Sequence, residues 1–251
     1  LTPTSRKRRV YKVGGPALED AALVAPLAKE IQGFCGEVAL VHGGGRQVER
    51  MLKQLGIESK FVDGRRITSA PAMEIVEMVL AGSTNKALAS ALTSAGLPAA
   101  GISGRDGNLI RASLVRGLGL VGSPDRVDSK ILQALWAAKF VPVISPVSNG
   151  PSGEAVNVNA DEAAQWIARE IGAETLVFLS DVDGVILEGA SVTHLDEAEI
   201  KTRTADGSIH GGMAMKVRMA LDAARSGIPD VIIAGRARLQ GGFPGTSISL
   251  K

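Results

Sequence analysis

A single cysteine, Cys35, stands among 251 residues. That excludes an intramolecular disulfide and fits a reducing, cytoplasmic setting. Histidines are equally sparse: His42, His194 and His210 are scattered and offer no metal-ligand spacing. No apolar run approaches the roughly 18 residues that a membrane span needs, and the first eleven residues are charged rather than apolar, unlike a secretory leader. A surplus of one charge is missing too. With 28 Lys plus Arg against 26 Asp plus Glu the net charge is +2, too little to argue for nucleic acid. The one dense basic cluster, Arg6 to Arg9, reads as a solvated arm or the lead-in to a strand. G-x-x-x-x-G-K-[ST] does not occur, which excludes a P-loop, and no Ser/His/Asp order suits a nucleophilic triad. Internal repeats, low-complexity tracts and long linkers are absent as well.

What is present is organised around V-A-L-V-H-G-G-G-R-Q-V, Val38 to Val48. A short apolar run bounded by glycine suits a strand covered on both faces. Gly43, Gly44 and Gly45 then allow close approach of the backbone to a bound group. Gln47 to Leu55 reads as an amphipathic helix, so the glycines fall at a strand-to-helix corner where unpaired N–H groups attract anions.

The remaining pattern alternates strand and helix, the mark of an α/β fold. Arg9 to Val13 reads as a first strand, running into Gly14 and Gly15 before Pro16 opens a helical pattern to about Gln32. Ala70 to Ala81 is helical with a wide apolar stripe (Met73, Ile75, Val76, Val79, Leu80), and Asn85 to Ala95 continues as helix. Ala99 to Ser103, Val141 to Ser145, Thr175 to Leu179, Val231 to Ala234 and Gly245 to Leu250 read as strands. Asp128 to Lys139, Glu162 to Ile171 and the stretch from His210 to near Gly227 read as helices, with Val147 to Ala155 a polar loop between two of them. G-L-G-L-V-G, Gly117 to Gly122, matches the dinucleotide fingerprint in form only. Ser123, Pro124 and Asp125 follow at once where a helix should open, so a β-hairpin with glycine turns is the better reading. A lobe boundary fits best near residues 170 to 175.

Three glycine corners recur, two of them with a lysine: Lys12 before Gly14 and Gly15, the triple glycine after His42, and Gly211-Gly212 before Lys216. Backbone donors and two cations match a transferring phosphoryl group, whose charge is spread over several oxygens. N-V-N-A-D places Asn157, Asn159 and Asp161 at a helix start, where capping explains one polar residue but not three. Ser180 and Asp181 close a buried strand.

K-V-G-G at Lys12, H-G-G-G at His42, G-R-R-I-T at Gly64, A-G-S-T-N-K at Ala81, N-V-N-A-D at Asn157, L-S-D-V-D-G at Leu179 and G-G-M-A-M-K at Gly211 follow, in order and spacing, the amino-acid kinase family. The chain resembles that family from Lys12 to Leu250. Among its members the likeness is to those that phosphorylate the γ-carboxylate of N-acetyl-L-glutamate in arginine biosynthesis. The resemblance implies an open three-layer αβα sandwich with a central, mainly parallel sheet. It implies a lobe spanning residues 1–172 for the acyl amino acid and dimerisation, and a lobe spanning 173–251 for ATP, with Mg²⁺ held mainly by the ATP phosphates.

It further implies that Lys12 and Lys216 neutralise charge on the γ-phosphoryl while Asp161 holds both ammonium groups. Gly44 and Gly45 would serve the acceptor carboxylate, and Arg66 with Asn157 its α-carboxylate end. Gly14, Gly15, Ser180 and Asp181 would serve the nucleotide. Related kinases act on aminoadipate presented by an acidic carrier protein, but H-G-G-G-R-Q-V and N-V-N-A-D resemble the acetylglutamate group more. A non-catalytic regulatory domain is the other alternative, and Lys12, Asp161 and Lys216 together speak against it. Arginine inhibition accompanies, in the family, an extended helix ahead of the first strand. With eleven residues before Lys12, the expectation is an arginine-insensitive homodimer joined through the helix around Met73 to Leu80. His42 reads as structural.

Overall fold

Residues 7–14, 18, 20–62 and 64–251 are described by the structure, a computed structural model. In chain order the principal elements are β1 (Arg8–Val13), α1 (Val24–Gln32), β2 (Glu37–His42), α2 (Gly45–Gln54), α3 (Ala70–Glu77), α4 (Asn85–Ser94), β3 (Ala99–Ser103), α5 (Lys130–Ala137), β4 (Val141–Ser145), α6 (Ala160–Glu170), β5 (Thr175–Leu179), β6 (His194–Asp196), α7 (Glu197–Ala205), α8 (Gly211–Arg225), β7 (Asp230–Ala234), α9 (Arg236–Leu239) and β8 (Thr246–Ser249). The eight strands form one sheet in the order β6-β8-β7-β5-β1-β2-β4-β3, in which every pairing is parallel except that of β7 with β8.

Side chains alternate across the sheet, and this decides what each site residue can reach. In β1, Val10 belongs to the apolar cluster that includes residues of α5, α6 and α8, whereas Tyr11 and Val13 belong to the one with residues of α1 and α4 on the other face. Lys12 shares Val10's face. In β2, Ala39 and Val41 join the α6 side and Val38 and Leu40 the α4 side, which leaves His42 toward α4. Helices on both faces of a mainly parallel sheet are the expected αβα sandwich, and strands covered twice read as unbroken apolar runs for that reason.

Three stretches differ from the sequence reading. Val147 to Ala155 is not a plain loop: it contains a strand (Val147–Asn149) and leads into another (Ala155–Val158). With Ile110–Leu114 and Val121–Val127 these close into a small barrel. Three- and four-residue strands are too short to show alternation. The mixed-charge stretch after Asp196 is a helix, α7, opened by a reciprocal capping box between Asp196 and Glu199.

Between α3 and α4 the winding passes through a π-helical segment, Met78–Thr84. The apolar stripe of Met73, Ile75, Val76, Val79 and Leu80 is buried against Val48 and Leu52 of α2. Those side chains are covered inside the chain, while the outward side of the same helical stretch carries Glu74 and Met78, the latter 59% exposed. The glycine hairpin expected at Gly117 to Gly122 is present, joining antiparallel strands. The helix start expected at Pro16 lies outside the described residues, which show a 3₁₀ turn (Ala21–Leu23) followed by α1.

Candidate active site

Parallel strands deliver their carboxyl ends to one edge, and ligands in open α/β sheets sit there. Here β5, β1 and β2 are neighbours with Leu179, Val13 and His42 in register, so the chain leaves the sheet side by side at Ser180, Gly14 and Gly43. The Gly43 N–H donates to Val13 O at 2.8 Å, and that of Ser180 to Ala234 O at 2.9 Å. A cavity of about 180 Å³ opens beside this edge. Gly43, Gly44, Gly45, Arg65, Arg66, Asn157 and Asp161 are among its walls.

Lys12 is turned toward α6 by β1 and meets Asp161, one of the cavity walls. Its Nζ lies 2.8 Å from Asp161 Oδ1, both side chains being largely buried. The pair is close without hydrogen-bond alignment: Asp161 Oδ1 is buried and accepts no hydrogen bond. Asp161 is free for this because Asn159, not Asp161, caps α6. Asn159 Oδ1 accepts from the backbone N–H groups of Asp161 at 2.8 Å and Glu162 at 3.4 Å. Gly14 leaves room beside this lysine, since a Cβ there would fall 2.5 Å from its Nζ and the ammonium group would have to move.

The second lysine is placed differently from expectation. Lys216 Nζ donates to Asp181 Oδ1 at 2.6 Å, so Asp161 holds one ammonium group and Asp181 the other. The hydrogen bond from Lys216 keeps the Asp181 carboxyl below its ordinary range, with the nearby Arg46 charge adding to the effect. Ser180 bends the chain beside it, its Oγ accepting from Val182 N–H at 3.3 Å.

Arg66, another wall of the cavity, is 7% exposed. Its guanidinium donates to Glu49, to Ser59 and to Gly45 O, the last at 3.1 Å, and lies 4.5 Å over the Phe61 ring. Hydrogen bonding from Arg66 holds the Glu49 carboxyl below its usual range. Asn157 Nδ2 donates to Thr68 Oγ1 at 3.1 Å, and that hydroxyl donates to Arg66 O at 2.7 Å.

His42 is fully buried beneath the glycine corner, and burial pulls its pKa down to about 4. It is absent from the cavity walls.

The structure thus brings Lys12, Asp161, Gly14, Gly44, Gly45, Arg66 and Asn157 to one place, and Lys216, Asp181 and Ser180 to the adjoining end of β5. Gly15 lies outside the described residues. Arg65 and Glu162 escaped the sequence reading: Arg65 lines the cavity and pairs with Glu162 at 2.7 Å. Both arginines of G-R-R-I-T were visible, but strand alternation predicts that only one faces the site, and a two-residue strand does not obey it.

A model of the amino acid kinase family matches residues 7–235. An acetylglutamate kinase of Rubrobacter xylanophilus is 45% identical over 245 residues, covering 95% of this chain and 96% of its own. One from Geobacillus stearothermophilus is 41% identical over 250 residues, with 96% of each chain covered. Among solved structures, N-acetylglutamate synthase from Neisseria gonorrhoeae superposes with a TM-score of 0.80 at 22% identity, over 98% of this chain and 60% of that one; at that identity the likeness is one of fold.

Proposed function

The chain belongs to the amino-acid kinase family, and from that premise we propose that it transfers the γ-phosphoryl group of ATP to the γ-carboxylate of N-acetyl-L-glutamate, an acyl-phosphate-forming step of arginine biosynthesis. The observation that supports this most is the meeting, at one sheet edge, of the Lys12–Asp161 pair, the glycine corner and the buried Arg66 around a cavity of about 180 Å³.

The chemistry asks little of a base. A γ-carboxylate with an ordinary pKa near ~4 is already an anion at neutral pH. One of its oxygens forms the new bond to γ-phosphorus, the bond to the β,γ-bridging oxygen breaks, and ADP carries away that electron pair without a proton moving. Catalysis is then positioning and charge stabilisation. Lys12, oriented by Asp161, neutralises one side of the transferring group. Lys216 approaches from the β5 side, exchanging its contact with Asp181 for phosphate oxygen. Gly44 and Gly45 offer N–H donors, and among the described residues neither donates to a backbone carbonyl outside the regular elements. Glu49, whose side chain is half-exposed, stands where the substrate α-carboxylate would replace it on Arg66, and Asn157 orients the same end.

Mg²⁺ suits ATP phosphates better than a protein cage here. Asp161 and Asp181 each face a lysine, and no group of three His, Cys, Asp or Glu gathers among the described residues. Bound to the phosphates, the ion would offset their charge. The same reading assigns residues 1–172 to the acyl amino acid and dimerisation and 173–251 to ATP, in a cytoplasmic homodimer joined through the helix around Met73 to Leu80, whose outward side carries the exposed Met78.

The test offers MgATP with either N-acetylglutamate or carrier-bound aminoadipate and traps acyl phosphate with hydroxylamine. Hydroxamate from N-acetylglutamate is expected. Hydroxamate from carrier-bound aminoadipate alone would replace the acceptor, and none from either would overturn the kinase reading.

A further inference from the structure

The glycine corner rests on a histidine that the mechanism above does not use. His42 ends β2 with its side chain on the α4 face of the sheet, opposite Lys12 and Asp161. Its Nδ1 lies 2.7 Å from Gly43 O and its Nε2 lies 3.0 Å from Asn85 Nδ2. A carbonyl oxygen can only accept, so Nδ1 carries the proton and Nε2, left with a lone pair, accepts from the amide. Asn85 is itself fixed, since it is fully buried and its Nδ2 also lies within hydrogen-bond distance of Val143 O at 2.9 Å and Ile102 O at 3.1 Å. The ring therefore has one tautomer and one orientation, and burial keeps it neutral.

A trans peptide is planar, with C=O and N–H pointing opposite ways. Drawing Gly43 O down onto His42 turns the Gly44 N–H up, away from the α4 face and toward the cavity. Glycine at both positions makes the alternative easy: a flipped peptide would aim the Gly43 carbonyl, a partial negative charge, at an anionic acceptor and phosphoryl group. Gly44 already sits at φ +148°, a region that favours glycine.

We propose that His42, locked as the Nδ1–H tautomer by Asn85, is a positioning residue that holds the Gly43–Gly44 peptide with its N–H rather than its carbonyl toward the reacting groups. The proposal rests on the kinase reading for the identity of those groups. The imidazole acts through the peptide and touches neither substrate.

Three readouts test it. In the wild-type protein, long-range ¹H–¹⁵N spectra of the His42 ring should show a protonated Nδ1 and a bare Nε2. This measurement needs no substrate, so it stands even if no hydroxamate forms and the kinase reading falls. An Nε2–H ring would overturn the proposal. In the hydroxamate assay, His42→Phe fills the space without a donor and should lower kcat roughly 100-fold, the scale of one lost oxyanion donor, with the KM for ATP within about two-fold. His42→Asn, whose amide can donate from nearly the Nδ1 position, should recover most of that loss, whereas His42→Gln, which reaches toward Asn85 instead, should not. Should His42→Phe fail to fold, the Asn and Gln variants carry the comparison. Equal activity in those two, or a Phe variant that keeps wild-type kcat, would overturn the proposal.

Discussion

A buried neutral histidine also leaves a signature in stability. The His42 pKa is lowered from 6.5 to about 4, chiefly by desolvation, with the charge of Lys86 pushing the same way and the Gly43 contact opposing. Between those two values the unfolded chain binds a proton that the folded chain refuses, so stability rises with pH across that window. Its contribution is fully present at pH 7, begins to fall below about pH 6.5 and is lost by about pH 4, amounting to about 3 kcal/mol. Urea midpoints of the wild type and His42→Asn, compared at pH 7 and pH 4.5, should converge on acidification as the wild type loses the larger share; parallel titrations would contradict the assignment. Little of this was legible in the sequence. H-G-G-G showed a polar side chain beside a glycine corner, but only the strand's alternation, once β2 is set in the sheet, sends it to the face away from Lys12 and Asp161. Lys12 and Asp161 were legible because glycines and a helix start flank them. The pairing of Lys216 with Asp181 was not, because a lysine on a helix and an aspartate on a loop 35 positions earlier share no local pattern.

At the scale of elements, α6 carries one half of the site on its first turn. Asn159 caps it, and Asp161 sits two residues on, facing Lys12. Removing the cap should cost about 1 kcal/mol and loosen the turn that aims the carboxylate. Asn159→Ala should therefore lower both the urea midpoint and kcat. Asn159→Asp keeps the cap and so should hold the midpoint, yet it sets a second negative charge beside Asp161 and should still depress kcat. An Asp variant with unchanged kcat would mean that the cap's only role is structural. The sandwich strands and α6 were readable because a doubly covered strand is continuously apolar and a helix repeats every three to four residues. The small barrel was not, its shortest strand having three residues, and neither was the π segment Met78–Thr84, which interrupts an otherwise continuous helical pattern without a proline to mark it.

Across the whole molecule, β1 lies between β2 and β5, so a strand from the first lobe forms part of the sheet of the second. Glu30 on α1 adds a tie. It accepts from Tyr11 OH and from Arg238 Nε of α9, each at 3.0 Å, and pairs with Arg9 at 3.7 Å. The expected boundary near residue 172 does not divide the core, since one apolar cluster runs from Val10 through α6 to α8 and Ile248. Two halves that share a core should unfold as one. Tryptophan fluorescence reports only the first lobe, through Trp136 and Trp166, while far-UV dichroism reports both. The two urea curves should coincide. A non-hydrolysable MgATP analogue at about 100 times its Kd should shift both together by about 2.7 kcal/mol, although of the first lobe it is proposed to meet only Lys12 and the glycine corner beside it. Glu30→Gln should weaken the single transition by about 1 to 2 kcal/mol without splitting it. Two separate transitions, with the analogue moving only the dichroism, would instead make residues 173–251 an independent folding unit and leave β1 a strand that docks after each half has formed.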